Sequence, residues 1–188
     1  MKILTLLLLS FMFMFTSCKN ECDSTKSEIR GIMKTWYKKK IKFPSNMEVL
    51  NNNIIPSYQN IEEGLTIKRN YTIVHFFTAD CDKCINELKM IQSALKKMPK
   101  NKDIDYIFIA SAPIKDYVLD AIKKTDFSYP IYYEQQYFSF KTINKFVLLD
   151  DIYNTMLLDK NQNLILFGAF YDNDKAKRLY SKAIECGL

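Results

Sequence analysis

"YTIVHFFTADCDKCINELK", residues 71–89, changes character halfway along. Its first seven residues are β-branched or aromatic and nearly continuous in apolarity, the pattern of a strand covered on both faces. Cys81 and Cys84 follow, two residues apart. From there Ile85, Leu88, Ile91, Leu95 and Met98 recur at helical spacing until Pro99 closes the run. A second buried strand is expected in "IDYIFIAS", residues 104–111. Strand, helix and strand with short joints make a βαβ unit, so the two strands should be parallel with a right-handed crossover. The CxxC pair would then sit at the N-terminus of the crossover helix.

Downstream, "APIKDYVLDAIKKT" predicts a helix with Ile114, Tyr117, Val118, Ala121 and Ile122 facing inward. "YPIYY" reads as a short strand, and "EQQYFSFKTINKF" as a short helix or loop. "NTMLLD" and "NLILFGAF", joined by "KNQN", read as a β-hairpin. A terminal helix should follow, with Asp172 as its N-cap. Upstream, Ile29, Ile32, Met33, Trp36 and Tyr37 give one apolar face to an amphipathic helix ending near Pro44. Residues 45–70, with Asn51, Asn52, Asn53, Pro56 and Gly64, read as irregular structure holding one or two short strands.

The chain begins with Lys2 and an uninterrupted apolar stretch from Ile3 to Phe15, too short to span a membrane and matched to a secretory signal. Its ending, "FTSC", resembles the lipobox of bacterial lipoprotein signal peptides, which implies removal of residues 1–17 and lipidation of Cys18. A soluble secreted protein with an incidental Cys18 is the other reading. Export places the remaining thiols in an oxidising compartment where disulfides persist. Cys22 and Cys186, at opposite ends of the mature chain, could pair, although spacing alone does not establish connectivity.

With 188 residues, 48% of them hydrophobic, the chain is long enough for one well-packed core. The formal charge of +6 comes from scattered lysines without the basic stripes that track a phosphate backbone, which argues against nucleic-acid binding. The expected organisation is a signal peptide at 1–17, then a tether, amphipathic helix and irregular extension at 18–70. One α/β domain should occupy 71–188.

The strand-turn-CxxC of "VHFFTADCDKC" and the hairpin "TMLLDKNQNLILFG" together resemble the TlpA-like thiol-disulfide oxidoreductases, membrane-anchored members of the thioredoxin fold. The resemblance implies a thioredoxin-like fold with a central mixed sheet, and a thiol-disulfide oxidoreductase acting on exported proteins. Its partners would be thiol- or disulfide-containing exported proteins and a redox partner, and its location a bacterial membrane, facing the periplasm. No cofactor and no metal are implied.

At a helix N-terminus, Cys81 would meet unpaired backbone N–H groups and the positive end of the helix dipole, both favouring thiolate. That makes Cys81 the expected nucleophile and Cys84, three residues on along the same face, the resolving thiol. Asp82 and Lys83 pull the thiolate in opposite directions. Aligned on the hairpin, Tyr153 stands where the family has its cis-proline, so Tyr153 and Asn154 are the expected substrate-facing loop. A cis bond before tyrosine costs roughly 2.5–4 kcal/mol, so Ile152–Tyr153 is expected to be trans. His75, the single histidine, stands where thioredoxin has a buried acid, and its imidazole could relay the proton that Cys84 must lose. It could equally be a core histidine satisfied by a backbone partner.

Three other readings of the pair stay open. Zinc wants four ligands, and one CxxC with one histidine supplies three unless Cys22 or Cys186 folds in. A structural staple is the second, although so short a loop constrains little of the unfolded chain. The third is a non-catalytic binding module that keeps the fold and a structural CxxC disulfide.

Overall fold

The computed structural model describes residues 21–51, 69–97 and 103–188. The expected signal segment 1–17, Cys18, the stretch around Pro56 and Gly64, and the expected helix end at Met98 and Pro99 lie outside the described residues. Strands are β1 (Met47–Leu50), β2 (Tyr71–Thr78), β3 (Ile104–Ser111), β4 (Ile131–Glu134), β5 (Thr155–Asp159) and β6 (Leu164–Phe167). Helices are α1 (residues 21–33), α2 (Asp82–Lys97), α3 (Lys115–Thr125), α4 (Ser139–Ile143) and α5 (Asp174–Glu185).

The six strands form one mixed sheet in the order β1-β4-β3-β2-β5-β6. β2 and β3 run parallel from Tyr71 opposite Ile104 to Thr78 opposite Ser111, as the βαβ reading requires. β2 is buried from Tyr71 to Phe77 because it is central in the sheet and covered on both faces. On its other side β5 pairs antiparallel, placing Thr155 opposite His75. β5 and β6 form the expected hairpin, whose turn is held by Asp159: its Oδ1 accepts from Asn161 N and Asn163 N, both at 2.9 Å.

The helices follow their apolar stripes with some corrections. Leu88, Ile91 and Leu95 of α2 are buried, and Gln92 joins α2 to the end of α3 by donating to Asp126 O and accepting from Ser128 N. In α3 the buried face is Val118, Ala121 and Thr125; Ile114 and Tyr117 are exposed. Ile114 caps the helix in extended conformation, outside the helical repeat, and Tyr117 lies about 100° round the helix from Val118. The N-cap of α5 is Asn173, not Asp172: extended Asn173 has its Oδ1 2.9 Å from Ala176 N. In α1, Ile29 and Met33 are buried but Ile32 is exposed. The helix gives way to a tight turn at Lys34–Trp36, with Lys34 and Lys38 at positive φ, well before Pro44.

The described residues before 71 pack with those after it. Residues 38–41 run beside the outer edge of β6, where Lys38 N donates to Leu164 O, Leu164 N to Lys39 O and Ile41 N to Gln162 O. β1 pairs antiparallel with β4 at the opposite edge. The N-terminal segment thus covers unpaired backbone on one side and extends the sheet on the other, while Ile29, Met33 and Ile41 join the same core. A disulfide between Cys22 and Cys186, with an S–S distance of 2.04 Å, ties α1 to the end of α5. Arg178 on Glu28 and Lys182 on Glu21 add ion pairs between the same two helices.

Candidate active site

Cys81 immediately precedes α2, and its Sγ accepts from Cys84 N at 3.3 Å, the position of an N-cap acceptor. The two half-buried cysteines are joined as a disulfide. Reduction would leave Cys81 Sγ against the free N–H groups of the first helical turn, where a thiolate is favoured over a thiol. Thr78, the last residue of β2, has its hydroxyl 3.3 Å from Cys84 Sγ. Both sulfurs open into a cleft of about 160 Å³, walled by Phe76 and Thr78 of β2, Glu87 of α2, Lys141 of α4 and the segment from Leu148 to Asn154. A larger depression of about 480 Å³ lies between α2 and the start of α5, but no sulfur of the dithiol lines it.

The charged side chains around the cleft have polar partners of their own. Lys83 does not lean on the sulfurs: its Nζ lies 2.6 Å from Asp151 Oδ2, across the cleft mouth. The hydrogen bond to Lys83 holds the Asp151 carboxyl below its usual range, and the same bond raises the Lys83 ammonium. Lys141 is buried beside Phe76, donating to Leu148 O at 2.8 Å and Asp150 O at 3.1 Å, with its Nζ 5.0 Å from the Phe76 ring centre. Burial lowers its pKa, against the pull of Asp151, Asp150 and Glu87.

Glu87 is the residue that sequence reasoning passed over. It follows Cys84 by three residues, which brings it to the same face one turn along. Burial raises its carboxyl pKa, reinforced by Asp151 and Asp172 and opposed by Tyr171 and Lys83. Tyr171 Oη donates to Glu87 Oε1 from the segment before α5. The local signal was an acid within the half-buried stripe of α2; its partner lies 84 residues away and leaves no local trace.

His75 is placed beside this network, not in the cleft wall. Its ring is fully buried among Phe77, Phe108 and Tyr171, with centroids 6.0, 6.3 and 5.8 Å away. Nδ1 lies 2.9 Å from Thr155 Oγ1, and Nε2 has no hydrogen-bond partner among the described residues. Burial first, and Lys141 second, lower its pKa to about 3, so the imidazole is neutral through the physiological range. The Thr155 hydroxyl interacts in turn with the Tyr171 phenol. A connection from His75 to the cleft therefore runs through Thr155, Tyr171 and Glu87. The satisfying partner is a side chain, not the backbone.

Tyr153 and Asn154 part company. Their peptide bonds are trans, as expected before tyrosine. Asp151–Tyr153 form a single 3-10 turn that swings the Tyr153 ring away from the dithiol into an aromatic cluster. Its ring centroid is 5.0 Å from Phe146, 5.0 Å from Phe167 and 5.6 Å from Trp36. Asn154, and not Tyr153, lines the cleft, and its carbonyl accepts from Phe76 N at 2.7 Å. Among the described residues no three His, Cys, Asp or Glu side chains converge as metal ligands would.

No protein-family profile matches the sequence, and neither does any curated protein. Solved structures match it in shape. A candidate thiol-disulfide oxidoreductase from Bacteroides vulgatus superposes with a TM-score of 0.53 at 15% identity, covering 77% of this chain and 90% of that one. A candidate protein disulfide isomerase from Bacteroides thetaiotaomicron gives 0.50 at 17% identity, over 80% and 91%. A candidate thiol:disulfide interchange protein DsbE from Chlorobium tepidum gives 0.50 at 10% identity, over 81% and 99%. Likeness at such identities concerns architecture alone. The chain has a thioredoxin-like fold: a mixed six-stranded sheet with flanking helices and an N-terminal helix.

Proposed function

We propose that this protein is a lipid-anchored thiol-disulfide oxidoreductase that exchanges disulfides with exported proteins through Cys81 and Cys84. The observation that carries the reading is the placement of the pair: Cys81 caps α2, with both sulfurs open to a cleft. A pair meant purely as a staple has no need of that position, and a three-residue separation restrains the unfolded chain little. Anchoring through Cys18 and export rest on the signal-like residues 1–18; the Cys22–Cys186 disulfide is in keeping with an oxidising compartment. The structural neighbours, a candidate oxidoreductase, a candidate disulfide isomerase and a candidate thiol:disulfide interchange protein, lend the same reading support.

In the reducing direction, Cys81 thiolate attacks one sulfur of a partner disulfide, forming a mixed disulfide and expelling the partner's other sulfur as thiolate. Cys84 then loses its proton and attacks Cys81 Sγ, releasing the first partner sulfur. The partner gains two electrons and two protons and leaves as a dithiol; Cys81–Cys84 becomes the disulfide. Glu87, which lines the same cleft as Cys84, is the group we assign to take its proton, and burial raises the carboxyl pKa toward that of a thiol. The opposite direction reverses every step.

Cys84→Ser removes resolution while leaving attack, so this variant should accumulate mixed disulfides through Cys81 that a reducing gel resolves. If the protein is a binding module instead, no such adduct forms and the wild-type dithiol fails to cycle with dithiothreitol.

A further inference from the structure

Lysines are spread along the whole chain, but the acids leave one gap. No Asp or Glu falls between Glu28 and Glu48, whereas Arg30, Lys34, Lys38, Lys39, Lys40 and Lys42 all do. Setting these six aside from the 27 basic residues leaves 21, equal to the 21 acidic ones, so this one stretch accounts for the formal charge of +6.

Folding gathers the stretch on one flank. α1 ends in the 3-10 turn Lys34–Trp36, and backbone hydrogen bonds then fix residues 38–41 along β6. Arg30 of α1 and Lys38 of the edge segment lie 5.4 and 5.6 Å from the centre of the Tyr37 ring, and Lys39 Nζ lies 3.9 Å from that of Trp36. Lys40 reaches the hairpin turn, donating to Asn161 O. All six cations are exposed, with the Trp36 and Tyr37 rings half-buried between them. Lys83, Lys115, Arg178 and Lys182 each meet a carboxylate; of these six, Lys38 is the one ion-paired among the described residues, on Asp159. Lysines also guard sheet edges against pairing, and Lys38–Lys40 lie on an edge. Edge protection does not account for Arg30, Lys34 or Lys42, which lie off it, nor for cations set over aromatic rings.

We infer that this flank docks on an anionic bilayer. A lipid surface is negative and its headgroups move laterally, so it meets cations spread over a flank without requiring the stripe that a duplex's fixed phosphates demand. Tryptophan and tyrosine rings suit the headgroup level because each joins an apolar body to a polar edge. The chain delivers the flank to that level: α1 starts three residues after Cys18, the expected lipid-bearing residue, and Arg30 is about 14 Å along the helix. The inference rests on the anchoring reading for this choice of polyanion; the localised charge stands without it. An acyl anchor tethers the domain without setting which side meets the membrane, and the six cations set it. Trp36 also lies 5.6 Å from the Tyr153 ring, next to Asn154 of the cleft wall, so docking on this flank keeps the dithiol beside the bilayer.

Trp36 is the single tryptophan, so its fluorescence reports on this flank alone. The protein, expressed from its full sequence, is mixed with vesicles of phosphatidylcholine, or of about two parts phosphatidylcholine to one of phosphatidylglycerol, both doped with a lipid brominated near the headgroup end of its acyl chains. Quenching of Trp36 should appear with the anionic vesicles, be absent with the neutral ones, and fade as salt rises from ~0.05 to ~0.5 M. Each lysine near such a surface is worth roughly fivefold in the docking equilibrium, so Lys34→Gln, Lys40→Gln and Lys42→Gln together should weaken it on the order of 100-fold and abolish the quenching. Because all three side chains are exposed, the substitutions spare the fold. Removing the same charge with Lys96→Gln, Lys123→Gln and Lys177→Gln, exposed on α2, α3 and α5, should leave the quenching in place. Equal quenching by the two vesicle types, none with either, or equal losses in the two triple variants would overturn the inference. Retention on a DNA duplex as strong as on anionic vesicles would overturn the bilayer as occupant in favour of nucleic acid. Flotation with vesicles at high salt reports the anchor separately: its loss would bring down the anchoring reading, while quenching at low salt still decides the flank.

Discussion

Substituting His75 by leucine should make the protein less sensitive to mild acid, by an amount that follows from the buried ring. In the unfolded chain an imidazole titrates near 6.5, whereas the folded environment lowers that to about 3. Between those values the unfolded state binds a proton that the native state refuses. The penalty is therefore absent above pH 6.5, grows as pH falls, and levels off below about 3. At pH 5 the gap is about 1.5 units, or roughly 2 kcal/mol, a substantial share of a stability of about 5–15 kcal/mol. Glu87 and Glu134 oppose this trend: burial raises both carboxyls, so their contribution is full at low pH and is lost as pH rises through their folded values. Comparing wild type with His75→Leu cancels the glutamates, and the difference in slope belongs to the imidazole. Urea midpoints at pH 7.5 and pH 5.0 supply that difference. Because the chain has one histidine, its ring proton resonance is also unambiguous by NMR. A resonance titrating near pH 6.5, or identical pH slopes in the two proteins, would refute the argument and restore His75 as a neutral-pH proton relay.

Removing the Cys22–Cys186 bond with paired serines should cost at most about 5 kcal/mol from loop-closure entropy, given its sequence separation of 164. At about 2–4 °C per kcal/mol, the melting temperature should drop on the order of 10 °C with Cys81–Cys84 cycling preserved; a drop under about 3 °C in calorimetry would contradict the tie between α1 and α5. Glu87→Gln should slow release of the mixed disulfide by about 100-fold at neutral pH and flatten its acidic limb; an unaltered stopped-flow profile would exclude it as the base. Tyr171→Phe removes a hydrogen bond that lowers the Glu87 pKa, so the acidic limb of that profile should move to higher pH. A limb that stays in place would mean that Tyr171 does not tune the carboxyl.

The features legible without the fold are local ones. A continuous apolar run, a helical stripe beginning at CxxC and a four-residue polar turn between two short strands each state their own conformation, because strand period, helix period and turn chemistry act over a few residues. The position of Cys81 at a helix tip follows from that, and so does the trans bond before Tyr153. Tertiary structure decided what depends on distant partners. The 3-10 turn at Asp151–Tyr153 sends Tyr153 toward Trp36, Phe146 and Phe167 and gives the cleft wall to Asn154. Glu87 gains its setting from Tyr171, and Lys83 is drawn off the sulfurs by Asp151, 68 residues along the chain. The segment before residue 71 covers one sheet edge and extends the other because unpaired strand backbone needs partners, a demand that periodicity within the segment does not express. Local pattern placed the sulfurs on their helix; the charges, hydrogen bonds and apolar wall around them come from side chains that meet only when the chain has folded.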